Sequence, residues 1–301
     1  MNITEVGTRI TVKNILYLTD FSEPSAAALP FTGAIARGYG ATVHVLHVLI
    51  PPAYVYTTPE LAATAISAEE EDALAEMQRL ESQLAGLAHE TNIERGTEVW
   101  PAVESAIKDN RIDLIVVGTH GRTGAQKLLL GSIAEEIFRR SPVPVLTIGP
   151  DVRGGAHNAG RFHRILLATD FSPESLKAAA YAVSLAHENE SRLILLRVMR
   201  KPSPRNDSDQ NAFEVSVAEA LHQLYEIVPP DVTLNFPAEA VIEYGDPAER
   251  IVEAAKRRGA DMVVMGVRAA TGRIGAATHL ERAVAHKVVT RAPCPVLTVR
   301  G

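Results

Sequence analysis

Short apolar runs alternate along the chain with longer stretches in which apolar residues recur every three or four positions. Ile15–Leu18 and Val43–Val48 have strand length, whereas Leu74, Met77 and Leu80 recur at helical spacing. A run of four to eight apolar residues is typical of a buried strand, and the wider spacing is typical of an amphipathic helix. The alternation predicts strands joined by helices, which is the pattern of a doubly wound parallel α/β sheet.

Local signals indicate where several helices begin. Ser22 and Ser172 each precede helix-forming sequence and are predicted to be N-caps. Pro30 and Gly33 lie within the first of these helices and predict a kink or early fraying there. Ser67 and Glu70 have the spacing of a capping box, which predicts the start of the long helix that carries the apolar stripe.

Three segments recur in the same order in the two halves of the chain, at offsets of 148 to 151 residues. Because order and spacing are both kept, we predict a tandem duplication of one α/β domain. The pairs are KNILYLTDFSEPS at 13–25 with HRILLATDFSPES at 163–175, DLIVVG at 113–118 with DMVVMG at 261–266, and SPVPVLTI at 141–148 with APCPVLTV at 292–299.

The segment between the two copies is typical of a linker. Residues 149–160 read GPDVRGGAHNAG, which is rich in glycine and lacks apolar periodicity. We therefore predict one domain over residues 1–150 and a second over 161–301, with the linker at 149–160.

Composition narrows the classes of function. The 301 residues carry a formal net charge of −6, which argues against a nucleic-acid partner. No apolar run is long enough to span a bilayer, so no membrane partner is expected. Because the chain has one cysteine, Cys294, it cannot form an intrachain disulfide, which favours a cytoplasmic protein. Cys294 itself is predicted to be a small buried residue. CxxC and HExxH spacings are absent, so no metal site built from side chains alone is expected.

The loop after the central strand of the first copy has the spacing of a phosphate-binding loop. Gly118 and Gly121 are followed by nine residues and then by Gly131 and Ser132, where a helix is predicted to begin. Glycines let the backbone approach a phosphate closely, and a helix N-terminus favours anions. The alternative is that the glycines mark tight turns and that Ser132 is only an N-cap.

Ligands of doubly wound sheets bind beyond the carboxyl ends of the strands, which directs attention to the loop after the first strand. Asp20 lies there, and its carboxylate is able to accept hydrogen bonds from a ribose hydroxyl or an adenine amine. Its other interpretation is a helix cap or a tie within its own loop. Leu18 and Val48 are candidates for the apolar walls of a base pocket, or for the core.

These segments together resemble the universal stress protein family over nearly the whole chain. They include TDFS at 19–22, VVGTHGRTG at 116–124 and LLLGS at 128–132. The resemblance implies two Rossmann-type sandwiches similar to the adenine-nucleotide α-hydrolase fold. It also implies a stress-response regulatory protein with weak or absent catalysis. The ATP-binding pattern of the family, which is Gly, two residues, Gly, nine residues and Gly-Ser or Gly-Thr, is matched in the first copy.

The resemblance further implies a role for each matched position. Asp20 would contact the adenosine part of ATP, and the phosphates would carry Mg²⁺ or Mn²⁺. No catalytic residue is assigned. The base or ribose would lie against Leu18, Val48 and Val117, and the phosphates would be held by Gly118, Gly121, Gly131 and Ser132.

The second copy departs from this pattern. It keeps Asp170, Val198 and Gly266, but Ala269 replaces the second glycine and His279-Leu280 replaces the Gly-Ser pair. We therefore expect it not to bind ATP in the manner of the family.

The resemblance also implies that the closing strands at 143–148 and 296–299 pair within the chain as an intrachain pseudo-dimer. A further homodimer is left open.

Two alternative functions remain at this stage. One is a nucleotide-independent interaction or chaperone-like protein with an unknown protein partner, for which the Pro- and Tyr-rich segment at 51–64 is a candidate lid or contact. The other is a slow ATPase. TDFS at 19–22 stands where enzymes that cleave ATP between the α- and β-phosphates carry a Ser-Gly-Gly-type loop, which argues against that reaction.

Overall fold

The computed structural model contains two compact units. The N unit comprises residues 11–127 and 131–145, and the C unit comprises residues 1–10, 128–130 and 146–301. Each unit is described separately below. The residues that the structure describes are 10–51, 59–119, 130–152, 162–200, 207–268 and 276–301, with the backbone alone at 59–65, 207–208 and 276–283.

The N unit alternates strands and helices, as predicted. Its strands follow the order β3-β2-β1-β4, and the β1–β2, β1–β4 and β2–β3 pairs are parallel. The elements are β1 (Asn14–Leu18), α1 (Glu23–Ala26), α2 (Leu29–Tyr39), β2 (Thr42–Leu49), α3 (Pro59–Gln83), β3 (His89–Arg95), α4 (Val99–Asp109), β4 (Leu114–Gly118), α5 (Ser132–Arg140) and β5 (Val145–Ile148), of which the last falls mostly in the C unit.

The C unit repeats this arrangement. Its strand order is β5-β10-β9-β6-β7-β8, so the closing strands β5 and β10 are neighbours in its sheet. The doubly wound parallel α/β class predicted for each copy is therefore confirmed. The remaining elements are β6 (Arg164–Thr169), α6 (Pro173–Glu188), β7 (Arg192–Met199), α7 (Asp207–Tyr225), β8 (Glu239–Tyr244), α8 (Pro247–Arg258), β9 (Met262–Val267), α9 (Ala276–Arg291) and β10 (Val296–Arg300).

Continuous apolar sequence explains why β1 and β4 of the N unit are buried on both faces. All five residues of β4 are buried, and Ile15, Leu16 and Tyr17 of β1 are at most 1% exposed. A strand buried on both faces cannot alternate apolar with polar residues, and each large aliphatic side chain it buries contributes about 1.5–3 kcal/mol. The carboxyl ends of these two strands are thereby fixed beside each other.

The first helix is broken in the N unit and continuous in the C unit. Ala27 and Ala28 separate α1 from α2, and Pro30 occupies the first turn of α2. The corresponding α6 runs for 16 residues and has Ala180 at the position of Pro30. Because proline cannot donate the backbone hydrogen bond of a helix interior, the helix restarts at this point. The predicted kink is confirmed.

The predicted start of the long helix is wrong. Helix α3 begins at Pro59, so Ser67 lies inside it. Residues 59–66 read PELAATAI, and this alanine-rich stretch extends the helix towards its N-terminus. The apolar stripe also runs through Ala73 and Met77, whereas Leu74 is 55% exposed because it lies about 100° around the helix from Ala73.

Part of the candidate lid at 51–64 therefore belongs to α3, and its residues 52–58 lie outside the described residues. Residues 153–160 of the predicted linker also lie outside them, so the domain boundaries remain a prediction. Among the helices of the described residues, none combines the length and the apolar character needed to cross a membrane.

Cys294 is buried with 4% of its surface exposed, as predicted. Burial raises the pKa of its thiol to about 12, with a smaller contribution from the nearby Asp261 carboxylate. The reactive thiolate is therefore scarce at neutral pH.

We expect Cys294 in the native protein to resist a thiol-specific chromogenic reagent at pH 8, and to react fully once the chain is unfolded in denaturant. The measurement is the amount of thiol released over time with and without denaturant. Rapid stoichiometric labelling of the native protein would contradict this assignment.

Candidate functional site

A cleft of about 420 Å³ lies at the carboxyl ends of β1, β2 and β4 in the N unit. It includes seven of the eight predicted site residues. Gly121, the eighth, lies outside the described residues. The seven that the structure brings together are Leu18, Asp20, Val48, Val117, Gly118, Gly131 and Ser132.

Asp20 lies in a turn that both copies share. Its Oδ1 atom accepts hydrogen bonds from the backbone N–H of Ser22 at 3.1 Å and from the Ser22 hydroxyl at 2.5 Å. Ser22 in turn caps α1 by accepting from the N–H of Ser25, which confirms the predicted N-cap. The tie within its own loop is thus a true role of Asp20, and it holds the carboxylate at the cleft.

Phe21 completes this turn in the left-handed conformation, with a φ of 60°. Its N–H donates to the Thr19 hydroxyl at 3.0 Å, and its ring lies 4.4 Å from the ring of His47. His47 is buried, and its Nδ1 lies 2.8 Å from the Thr19 carbonyl oxygen. Because a carbonyl oxygen only accepts, Nδ1 carries the proton. The rings of Phe21 and His47 therefore pack together and stabilise the turn at the end of β1.

The two ends of the phosphate-loop segment meet in the structure. The N–H of Gly131 donates to the carbonyl oxygen of Thr119 at 2.6 Å. The first backbone bond within α5 runs from Glu135 to the carbonyl oxygen of Gly131. The N–H groups of a first helical turn have no acceptor inside the helix. The N–H of Gly131 is thus engaged with Thr119, and the backbone donors that the start of α5 offers to the cleft are those of Ser132, Ile133 and Ala134.

Apolar side chains line much of the cleft. Leu18 and Val117 are buried walls, whereas Ile50 and Ile133 are 44% and 37% exposed at its edge. Large exposed apolar side chains in a concave site are suited to contact with a ligand. Sequence reasoning missed several lining residues, namely Thr19, Leu46, His47, Ile50, Val99, Thr119, Ile133 and Ala134.

Gly118 has a structural reason to be glycine. A Cβ atom at this position would lie 2.6 Å from the backbone carbonyl oxygen of Pro24 in α1. The same constraint recurs in the C unit, where a Cβ on Gly266 would lie 2.4 Å from backbone atoms of Glu174 and Ser175. At this glycine the first helix packs directly against the end of the central strand in both units.

Tyr17 adds a second support for α1. Its buried hydroxyl donates to the Ser25 carbonyl oxygen at 2.8 Å. Burial raises the pKa of Tyr17 to about 12, so its hydroxyl keeps the donated proton at neutral pH.

The C unit keeps the turn but not the loop. Asp170 Oδ1 accepts from the N–H of Ser172 at 3.0 Å, as Asp20 does from Ser22. His279 and Leu280 lie inside α9, which begins at Ala276. Unlike Gly131 and Ser132, which stand at the start of α5, these two residues therefore do not begin a helix. Ala269 lies outside the described residues.

Comparison with known proteins gives the family. The sequence profile of the Universal stress protein family matches residues 11–149 and 161–300, so the chain belongs to this family and contains two of its domains in tandem. A universal stress protein of Thermus aquaticus is 35% identical over 141 residues, which cover 46% of this chain and 99% of that protein. One of Mycobacterium tuberculosis is 28% identical over 197 residues, which cover 64% of this chain and 63% of that protein.

A solved structure shows the same fold. The universal stress protein from Archaeoglobus fulgidus has a TM-score of 0.67 to this chain at 24% sequence identity. The match covers 97% of this chain and 99% of that chain.

The steric role of Gly118 is open to a direct test. We expect Gly118→Ala to lower the free energy of unfolding by about 1–3 kcal/mol, because a backbone carbonyl has to move to admit the methyl group. The matched control is Gly38→Ala in α2, where nothing lies within 4 Å of an added Cβ. That control is expected to stabilise the protein by about 0.5–1 kcal/mol. Denaturant unfolding of both variants checks the pair, and equal stability would contradict the steric argument.

Proposed function

We propose that the N-unit cleft binds ATP and that the protein acts as a nucleotide-binding regulator in stress responses, without robust catalysis. The observation that supports this most strongly is the meeting of two chemically different halves in one cleft. Apolar walls and the Asp20 carboxylate line the same cleft as the first turn of α5.

The apolar half has the chemistry of a nucleoside site. Val48, Ile50 and Val117 offer contact surfaces for a planar base. The Asp20 carboxylate, oriented by Ser22, is an acceptor for hydroxyl or amine donors such as those of ribose and adenine.

The helix half has the chemistry of a phosphate site. The positive end of the α5 dipole and the N–H groups of Ser132, Ile133 and Ala134 favour an anion. The Ser132 side chain is exposed and adds a hydroxyl donor. Family membership supports the same assignment, because the matched glycine and serine positions are those of the family's ATP-binding pattern.

Mg²⁺ or Mn²⁺ would accompany the phosphates in this proposal. Within the described ranges no group of three or more His, Cys, Asp and Glu side chains is placed to hold a metal ion. Phosphate oxygens and water would then supply most of its ligands. The histidine that lines the cleft, His47, is buried and bonded to Thr19, which supports a wall and not a general base.

Gly131→Asp tests the nucleotide site at the N-cap of α5. Gly131 has a φ of −60° and a ψ of 150°, which any residue adopts, and aspartate is a favourable N-cap. The variant is therefore expected to fold, while its carboxylate repels phosphate and weakens ATP binding by about a hundredfold. Isothermal titration with Mg²⁺ and ATP measures this against a wild-type stoichiometry of about one ATP per chain.

Gly131→Asn is the matched control, because asparagine has the same shape and also caps helices but carries no charge. It is expected to lose much less affinity than the aspartate variant. Equal losses would mean that shape and not charge governs the site. Absence of wild-type binding would leave the interaction-protein alternative, and phosphate release at a steady rate would favour the slow ATPase.

A further inference from the structure

The C unit has a cleft of its own at the carboxyl ends of β6, β7 and β9, with a volume of about 250 Å³. Its walls repeat those of the N-unit cleft. Leu196 and Val198 stand at the positions of Leu46 and Val48, and Met265 stands at that of Val117.

The nucleoside half of the cleft is preserved. The N–H of Phe171 donates to the Thr169 hydroxyl and the N–H of Ser172 donates to Asp170 Oδ1, each at 3.0 Å, against 3.0 Å and 3.1 Å for the same two bonds of the N unit. Phe171 again has a positive φ, of 64°. Burial acts to raise the pKa of Asp170, but hydrogen bonds from Ser172 and Ser175 and the charge of Arg197 outweigh it and lower the pKa. Asp170 is therefore a charged acceptor at neutral pH.

Arg197 replaces His47 beneath this turn. Its guanidinium donates to the Thr169 carbonyl oxygen at 3.4 Å and lies 5.2 Å from the centre of the Phe171 ring. It thus repeats both contacts of His47 with the turn. The guanidinium of Arg197 therefore stabilises the turn, and the Asp170 carboxylate offsets its charge.

The phosphate half is altered. His279 and Leu280 lie three and four residues inside α9, where backbone N–H groups bond within the helix and are not available to an anion. Glu174 lines the cleft at the position of Pro24, next to Gly266. Its carboxylate pairs with the guanidinium of Arg268, the residue that follows β9, across 3.8 Å. Glu174 Oε2 has no hydrogen-bond donor among the described residues, and Arg268 offsets only part of its charge at 3.8 Å. This carboxylate is therefore suited to a donor group of a ligand and repels a phosphate.

We propose that the C-unit cleft binds a phosphate-free ligand of the nucleoside class and rejects nucleotides. The ligand has a ring that contacts the apolar walls and donor groups that face Asp170 and Glu174. The choice of an adenine ring rests on the function proposed for the N unit, whereas the rejection of phosphate rests on Glu174 and α9. The chain then senses two chemical states of related ligands, one in each unit.

Adenosine and ATP are the probes, and paired variants separate the two clefts. Asp20→Ala and Asp170→Ala remove the same carboxylate and the same turn hydrogen bonds from the N and C units. Isothermal titration of the wild-type chain is expected to show a site for adenosine that Asp170→Ala removes and Asp20→Ala leaves intact. In Asp20→Ala, adenosine is expected to bind at least about tenfold more tightly than ATP.

Glu174→Gln in the Asp20→Ala background tests the charge. It is expected to improve ATP binding by about tenfold and to change adenosine binding little. The proposal is overturned if the Asp20→Ala chain binds ATP as tightly as adenosine, if it binds no adenosine, or if Asp170→Ala leaves its adenosine binding unchanged. A different outcome is that the wild-type chain binds no ATP while the Asp20→Ala chain still binds adenosine. That outcome would reject the function proposed for the N unit alone.

Discussion

The close contact between the first helix and the end of the central strand is the constraint on which each cleft depends. In the N unit this contact leaves no space for a Cβ on Gly118, and in the C unit it leaves none on Gly266. A hydrogen bond between the hydroxyls of Thr19 and Ser25 in the N unit, and of Thr169 and Ser175 in the C unit, then fixes the turn between strand and helix, together with the left-handed phenylalanine of each turn. Because backbone atoms are in contact here, the turn cannot shift without moving the helix. A ligand site built on a loop requires a rigid support of this kind beneath its side chains.

The two units share this turn between the first strand and the first helix, but they differ in residues around their clefts. The Glu174 carboxylate lines the C-unit cleft, whereas the corresponding residue of the N unit is the neutral Pro24, and Arg197 stands where the N unit has His47. Helix α5 begins at the rim of its cleft, whereas α9 begins earlier relative to its closing strand. Since the turn geometry is nearly identical, these few positions are sufficient to change the charge that the clefts present. Duplication has thus kept the packing and altered the electrostatics.

The sequence predicted the fold well because the fold follows from periodicity. Apolar runs identified the central strands, and the repeat identified the tandem arrangement. Seven site residues also fell in one cleft, since strand ends and loop glycines are local features. The predicted start of α3 at Ser67 was wrong because the helix-forming residues before Ser67 outweighed the local capping signal. His47 and Ile133 were missed because their roles depend on which side chain faces the cleft, although a histidine within an apolar strand was a usable signal.

Motif residues retained in a diverged copy do not by themselves indicate a retained ligand. Gly266 and Asp170 both survive in the C unit, and each has a sufficient structural reason there. The glycine admits the first helix, and the aspartate binds the N–H of Ser172. Gly131 and Ser132 stand at the start of α5, where many residue types can begin a helix. In the proposed function these two positions hold phosphate, and in the C unit the aligned His279 and Leu280 lie inside α9 instead.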